Sequence, residues 1–213
     1  MTLAKLLFIK ASPLPDDVSR SMVVATAFLE KYKQENPNDE IERIDVYTED
    51  IPFIDGAFLA AGNALREGKA FADLDSEVQA QLTKFEALTK QFMDADKYVI
   101  VSPLWNLGIP PMLKAYFDTV VVAGKTFRYT ETGPEGLLKG KKALQIHGSG
   151  GVYSTGDSDL ETHGEPYINT IMNFIGVETL PTVFVEGVDY DPTRKDEILN
   201  AAIEDSIRRI TML

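Results

Sequence analysis

The chain has 213 residues, of which 44% are hydrophobic and 25% are charged, and this composition is typical of a globular protein. The absence of cysteine excludes disulfides, thiolate nucleophiles and zinc–thiolate sites. A formal net charge of −12 argues against nucleic acid and anionic membranes as partners, because phosphate groups are bound by basic surfaces.

The first predicted element is the apolar run Leu6–Ile9, which lies between Lys5 and Lys10. It is too short for the apolar core of a signal peptide, so we interpret it as part of a strand. No apolar run approaches the roughly 20 residues of a membrane span. From these features we expect a cytoplasmic protein.

Short apolar runs alternate with amphipathic segments along the chain, which is the pattern of a doubly wound α/β sheet. The predicted strands are Ala4–Ile9, Glu40–Val46, Lys97–Val101, Lys142–His147 and Thr179–Val185. The predicted helices are Ser19–Lys33, Ser76–Ala95, Pro110–Ala123, Pro166–Ile175 and Pro192–Thr211. Five parallel strands with helices on both faces predict a flavodoxin-like fold with strand order 2-1-3-4-5.

Residues at the helix ends support these boundaries. Ser76 and Gln79 have the spacing of a capping box. Gly124 and Gly176 fall where a helix needs a left-handed residue to stop. Asp191-Pro192 has the form of a cap followed by proline at the first helical position.

We expect one domain over residues 1–213, with insertions at about 48–74 and 124–140. The first insertion contains a predicted short helix around Gly56–Arg66. Long excursions at the ligand end of a compact domain are more often lids or interface elements than idle loops. Simple surface decoration is the alternative.

Several apparent motifs fail on inspection. Gly124-Lys125-Thr126 resembles the end of a phosphate loop, but Thr119 stands where that motif requires glycine. His147 likewise replaces the first glycine of a nucleophile elbow. With only His147 and His163 available, we expect no metal site and interpret both as ordinary surface or loop residues. His147, at the end of strand four, would face the mouth of a site there.

Three loops remain, each following a parallel strand, and such loops meet at one edge of the sheet. The loop after strand one carries Ser12, Ser19 and Ser21, with Arg20 as a nearby cation, at the start of a helix. Hydroxyls, free N–H groups and the helix dipole would hold a phosphate there. The alternative is that Ser19 is only a helix cap.

The other two loops suit a flat ring. Leu104–Leu107 follows strand three, contains the only tryptophan and precedes a helix. Gly148–Gly151 follows strand four, and its missing side chains would let a ring lie against the backbone, although the glycines could also be only a turn. Together, the three loops suit a mononucleotide such as FMN.

Six segments carry a family resemblance: Ser19–Ser21, Pro103–Leu107, Lys114–Asp118, Ala123–Lys142, Gly150–Tyr153 and Asn173–Val177. On these segments the chain resembles the FMN-dependent NADH-azoreductases, flavodoxin-like relatives of the NAD(P)H:quinone reductases. The resemblance covers essentially the whole chain. Some relatives differ, with a hydroxyl residue in place of Ala11 and an arginine in place of Ser149.

The resemblance implies a homodimer with FMN sites at the subunit interface. It also implies ping-pong hydride transfer through flavin N5, from NADH or NADPH to quinones and azo compounds. The implied contacts to the ribityl phosphate are Ser12, Ser19, Arg20 and Ser21. Those lining the isoalloxazine are Leu104, Trp105, Asn106 and Leu107, and those at its pyrimidine end are Gly148, Ser149, Gly150 and Gly151.

No side chain is expected to be catalytic, because the cofactor carries the chemistry. The backbone N–H groups near Asn106 would bond N5, and those of Gly148–Gly151 would favour charge at N1 and O2. Trp105, Phe127 and Tyr129 are candidates for an aromatic wall over the ring; core packing is an equal alternative for Phe127. Two alternative functions remain: a flavodoxin-type electron carrier without nicotinamide-dependent turnover, and a redox-responsive binding protein that keeps flavin as a structural ligand.

Overall fold

The computed structural model of the protein describes residues 3–155 and 161–213. Its strands are β1 (Lys5–Lys10), β2 (Glu40–Asp45), β3 (Lys97–Pro103), β4 (Phe127–Thr130), β5 (Gly133–Gly136), β6 (Lys142–Gly148), β7 (Glu178–Thr179) and β8 (Val183–Val185). Its α-helices are α1 (Arg20–Glu35), α2 (Gly56–Arg66), α3 (Ser76–Asp94), α4 (Pro111–Val120), α5 (Gly164–Phe174) and α6 (Lys195–Arg208).

The main sheet is parallel, with order β2-β1-β3-β6, and both β7 and β8 pair with β6 at its edge. This confirms the predicted flavodoxin-like order, with β6 as the fourth strand. The fifth strand, predicted as one run over Thr179–Val185, is instead two short strands. Pro181 lies in the gap between them. Proline cannot donate to the ladder, which accounts for the interruption.

Helices cover both faces of this sheet because its central strands β1 and β3 are apolar on both sides. In β1, Leu7 and Ile9 belong to one core cluster, which includes residues of α3, α4 and α5. Leu6 and Phe8 point the other way, into a cluster that includes residues of α1 and α6. The alternation along one strand therefore builds two separate cores.

Two of the predicted helix ends need correction. The cap of α3 is Asp75, whose carboxylate accepts from the Glu77 N–H at 2.9 Å, so the predicted Ser76 capping box is wrong. The Gln79 side chain donates instead to the Leu74 carbonyl at 2.8 Å. Helix α4 ends at Val120, before Gly124, and the left-handed Gly124 leads into β4.

The other two ends agree with prediction. Gly176 is left-handed, with φ 93°, directly after the C-cap of α5. The Asp191 carboxylate accepts from the Thr193 N–H at 3.1 Å and caps the short 3₁₀ turn Pro192–Arg194 that leads into α6.

The segments predicted as insertions have structure of their own. Residues 48–74 contain α2, at the predicted position. Residues 124–140 contain the antiparallel hairpin β4–β5, which packs against the end of α5. Within the two described ranges, no helix combines the length and the apolar character needed to cross a membrane.

Candidate cofactor site at the carboxyl edge of the sheet

The carboxyl ends of β1, β3 and β6 open onto a cavity of about 440 Å³. This volume lies within the range of roughly 300–1,000 Å³ that small-molecule and cofactor sites occupy. The lining residues are Ser12, Leu14, Val18, Ser19, Arg20, Ser21, Pro103, Leu104, Trp105, Gly148, Ser149, Gly150 and Asp189. The fold therefore brings together residues from all three loops that the sequence singled out; Asn106, Leu107 and Gly151 belong to those loops but do not line the cavity.

The start of α1 forms one end of the cavity. Ser19 is the N-cap residue, but its side chain makes no capping hydrogen bond. Its hydroxyl lies 3.4 Å from that of Ser21, and both side chains are buried. The first N–H groups of a helix have no intrahelical acceptor, so this end offers N–H and hydroxyl donors to an anion.

A cluster of charged residues holds the loop before α1 in place. The Arg43 guanidinium donates to both carboxylate oxygens of Asp16, at 2.7 and 2.9 Å. This hydrogen bonding lowers the pKa of Asp16 from its usual value. The buried Lys10 ammonium lies 3.3 Å from Asp16 and 2.8 Å from Asp45. No local sequence pattern marks this cluster, because its members lie on separate segments of the chain.

The loop after β3 makes a tight turn with an unusual backbone. Trp105 and Gly108 exchange N–H···O bonds of 3.0 and 2.9 Å. Between them, Asn106 and Leu107 are both left-handed, with φ 47° and 64°. This is the geometry of a type I′ turn, which favours asparagine or glycine and is strained for leucine.

The same turn leaves two backbone donors unused. Among residues 3–155 and 161–213, the N–H groups of Asn106 and Leu107 have no protein acceptor. The Leu107 carbonyl accepts from the His163 N–H at 2.6 Å, which ties the turn to the start of α5. The turn is therefore held by the start of α5, while within the described ranges its two N–H groups are available to a ligand.

The glycines of the third loop allow close approach by other parts of the protein. A Cβ atom at Gly148 would lie 3.2 Å from the Ser21 Cβ, so this loop and the start of α1 are in contact. A Cβ at Gly150 would lie 2.2 Å from the Asp189 Oδ2, and one at Gly151 would lie 3.1 Å from the Tyr153 ring. In this structure the nearest neighbours of Gly150 and Gly151 are therefore the side chains of Asp189 and Tyr153.

Asp189 is a site residue that the sequence analysis missed. Its Oδ1 lies 2.5 Å from the Arg20 Nη2 across the cavity. Hydrogen bonding to Arg20 lowers the pKa of its carboxyl. No local signal marks Asp189, because it lies 169 positions along the chain from Arg20.

His147 differs from its prediction as a surface or loop residue. It lies in β6 and is only 3% exposed, because the inner positions of a central strand are covered by helices. Burial lowers its pKa to about 4, so the imidazole is neutral at pH 7. The ring borders a second cavity of about 200 Å³, which shares Leu104 with the first. His163, in contrast, is exposed at the N-cap of α5.

Phe127 and Tyr129 lie on β4, and neither lines the cavity of its own chain. The Phe127 ring is buried, with its centroid 4.7 Å from that of Phe174. Tyr129 is 75% exposed. Within one chain, Phe127 therefore packs in the core, which was the alternative to its predicted place in an aromatic wall over the ring.

The donors of the cavity fit FMN. Unpaired helix N–H groups and the hydroxyls of Ser19 and Ser21 match a phosphate. Directly after Trp105, beside the cavity, the N–H groups of Asn106 and Leu107 match the acceptor atoms at the edge of a flavin ring. Pro103, Leu104 and Trp105 supply apolar surface between these two ends.

The fold and this cavity define a flavodoxin-like protein. A family model described as flavodoxin-like fold matches residues 4–210.

Individual relatives are more specific. The "FMN-dependent NADH:quinone oxidoreductase 2" of Listeria innocua is 57% identical over 94% of this chain and 95% of its own length. The "FMN-dependent NADH:quinone oxidoreductase" of Bacillus pumilus is 47% identical over 95% of this chain and 96% of its own. An FMN-dependent NADH-azoreductase from Bacillus anthracis, solved in complex with FMN, has a TM-score of 0.89 at 36% identity and covers 99% of both chains. The chain belongs to this family of flavodoxin-like FMN-dependent oxidoreductases, which confirms the resemblance predicted from its sequence.

Proposed function

We propose that the protein binds FMN in the cavity of about 440 Å³ and uses NADH or NADPH to reduce quinones and azo compounds. It is an FMN-dependent NAD(P)H oxidoreductase, like the relatives whose names give that activity. One observation carries the placement of the cofactor. The start of α1, with its anion-binding donors, opens onto the same cavity as Trp105 of the loop after β3. The two residues that follow Trp105 have N–H groups without an acceptor in the described part of the chain.

At the phosphate end, the binding residues we propose are Ser12, Ser19, Arg20 and Ser21. The Ser19 and Ser21 hydroxyls and the first N–H groups of α1 would donate to the phosphate oxygens. Arg20 would add a cationic, bidentate donor. The Asp16 cluster would keep the loop between Ser12 and Ser19 in position for these contacts.

At the ring end, the binding residues we propose are Leu104, Trp105, Asn106, Leu107, Gly148, Ser149, Gly150 and Gly151. Bound FMN supplies hydride transfer through its N5. The main-chain N–H groups of Asn106 and Leu107 would orient the ring edge, and Trp105 would limit the access of water to one side of it. The Ser149 hydroxyl donates to the Gly151 carbonyl at 2.8 Å, which stiffens the loop at the pyrimidine end.

We further propose a cytoplasmic homodimer with ping-pong kinetics. Tyr129 is exposed on the hairpin β4–β5, which lies outside the main sheet. Its side chain is available to a second copy of the chain and would help to line the substrate pocket of that copy. Buried Phe127 would support the hairpin from below through its contact with Phe174.

The test is the visible spectrum of the purified protein, followed by anaerobic addition of NADH and then of menadione. We expect a yellow protein with one FMN per chain, bleached by NADH and recoloured by the quinone over many turnovers. Bleaching without multiple turnovers would favour the electron carrier or the binding protein. A colourless protein that cannot be reconstituted with FMN would contradict the function itself.

A further inference from the structure

Arg20, which extends from the start of α1, already has an anionic partner in this cavity. The Asp189 carboxylate lies 2.5 Å from its guanidinium, and both residues line the cavity. A carboxylate thus occupies the position next to Arg20 that a phosphate oxygen would take in the proposed function.

The main chain around Asp189 is anchored to the third loop. The Asp189 N–H donates to the Gly150 carbonyl at 3.1 Å, and the Gly187 N–H donates to the Gly151 carbonyl at 3.2 Å. Gly187 is left-handed, with φ 86°, which lets the chain turn between these two bonds. The backbone position of Asp189 is therefore set by the fold.

The carboxylate itself is less confined than its backbone. Its side chain is 64% exposed, and that of Arg20 is 36% exposed. A rotation about the Asp189 side-chain bonds would separate the two charges without moving either loop. Exposed ion pairs of this kind are weak, so a stronger anion can displace the carboxylate at little cost.

A phosphate monoester is such an anion, since it carries about 1.5 to 2 negative charges at neutral pH. Arginine binds phosphate bidentately, so the guanidinium cannot serve both anions fully. On the basis of the proposed function, we propose that Asp189 is a built-in competitor of the FMN phosphate. It holds Arg20 across the cavity in the flavin-free protein and lowers the affinity for flavins that carry a phosphate.

The test compares FMN with riboflavin, which has the same ring but no phosphate. The full chain is freed of bound flavin, and dissociation constants for both flavins are measured by fluorescence quenching. We expect Asp189→Asn to tighten FMN binding by about three- to fivefold, the most that an exposed ion pair can withhold, and to leave riboflavin binding unchanged. The gain for FMN should shrink when Arg20→Gln is also present.

Glu197→Gln is the matched control, because it removes a carboxylate from another exposed arginine pair, with Arg194, outside the cavity. It should leave both dissociation constants unchanged. Unchanged FMN binding by Asp189→Asn would contradict the proposal that Asp189 competes with the phosphate. Weaker FMN binding would also contradict it and would show that Asp189 orients Arg20 for the phosphate. If the wild type bound neither flavin, the proposed function itself would be wrong. If it bound FMN but Asp189→Asn did not bind it more tightly, only the proposal about Asp189 would be wrong.

Discussion

The Nδ1 atom of His147 lies 3.3 Å from the Oγ atom of Ser102, its register partner across the parallel strands β6 and β3. The Gln145 Nε2 atom approaches the same ring nitrogen, also at 3.3 Å. All three side chains are buried. Among the described residues, no carboxylate forms a hydrogen bond or ion pair with this ring. A protonated imidazole would therefore lose hydration here, and the folded protein favours the neutral ring.

His147 should therefore weaken the fold in acid. Its pKa is about 4 in the folded protein, against an ordinary value of 6.5 in the unfolded chain. The stability that it contributes is complete above pH 6.5 and is lost as the pH falls through about 4. We expect this residue to cost about 3 kcal/mol of unfolding free energy between pH 7 and pH 4.

Urea unfolding at both pH values measures this loss. His147→Gln cannot titrate, so its unfolding free energy should depend less on pH than that of the wild type. Exposed His163→Gln is the control and should retain the wild-type dependence. An equally steep dependence in His147→Gln would assign the acid sensitivity to other groups.

Leu107→Gly should not destabilise the protein, although the loss of a leucine side chain usually does. Leu107 has φ 64°, which glycine adopts without strain. We expect the free energy of unfolding to stay constant or to rise by up to about 1 kcal/mol. Leu14→Gly is the control, because Leu14 is also an exposed loop leucine but is not left-handed. A larger loss in Leu107→Gly than in Leu14→Gly would show that the turn is not strained.

Gly136→Ala should loosen the hairpin β4–β5 from the end of α5. The new Cβ would lie 2.2 Å from the Gly176 nitrogen, a main-chain atom that cannot rotate away. We expect a loss of about 2–3 kcal/mol in the free energy of unfolding. Gly62→Ala, where nothing lies within 4 Å, should instead gain up to about 1 kcal/mol as a helix position. Equal stability of the two variants in urea would contradict this packing.

Alanine variants of Phe127 and Tyr129 should show which residue supports the fold and which contributes to substrate binding. Phe127→Ala removes a buried ring and should cost about 3 kcal/mol of stability. Tyr129→Ala removes an exposed ring and should change stability by no more than about 0.5 kcal/mol. If Tyr129 reaches a partner's pocket, its removal should raise the KM for quinone while the FMN content stays at one per chain. An unchanged KM would show that Tyr129 does not contribute to the substrate pocket of a second chain.

The sequence by itself determined the order of strands and helices, since apolar periodicity is a local property that reports which faces are buried. It also placed Ser19–Ser21 at a helix start and marked the three loops that follow parallel strands. The carboxyl ends of such strands meet at one edge, so their convergence on a cavity followed from topology. The family resemblance added the identity of the cofactor.

Only the tertiary structure decided which charged groups meet in the site. Arg20 pairs with Asp189, 169 positions away, and Arg43 pairs with Asp16, 27 positions away. It also decided that His147 is buried and that Leu107 is left-handed. Such pairings depend on how segments distant in the chain pack against each other, and this packing is set by the free energy of the whole fold. A local sequence pattern therefore cannot predict them.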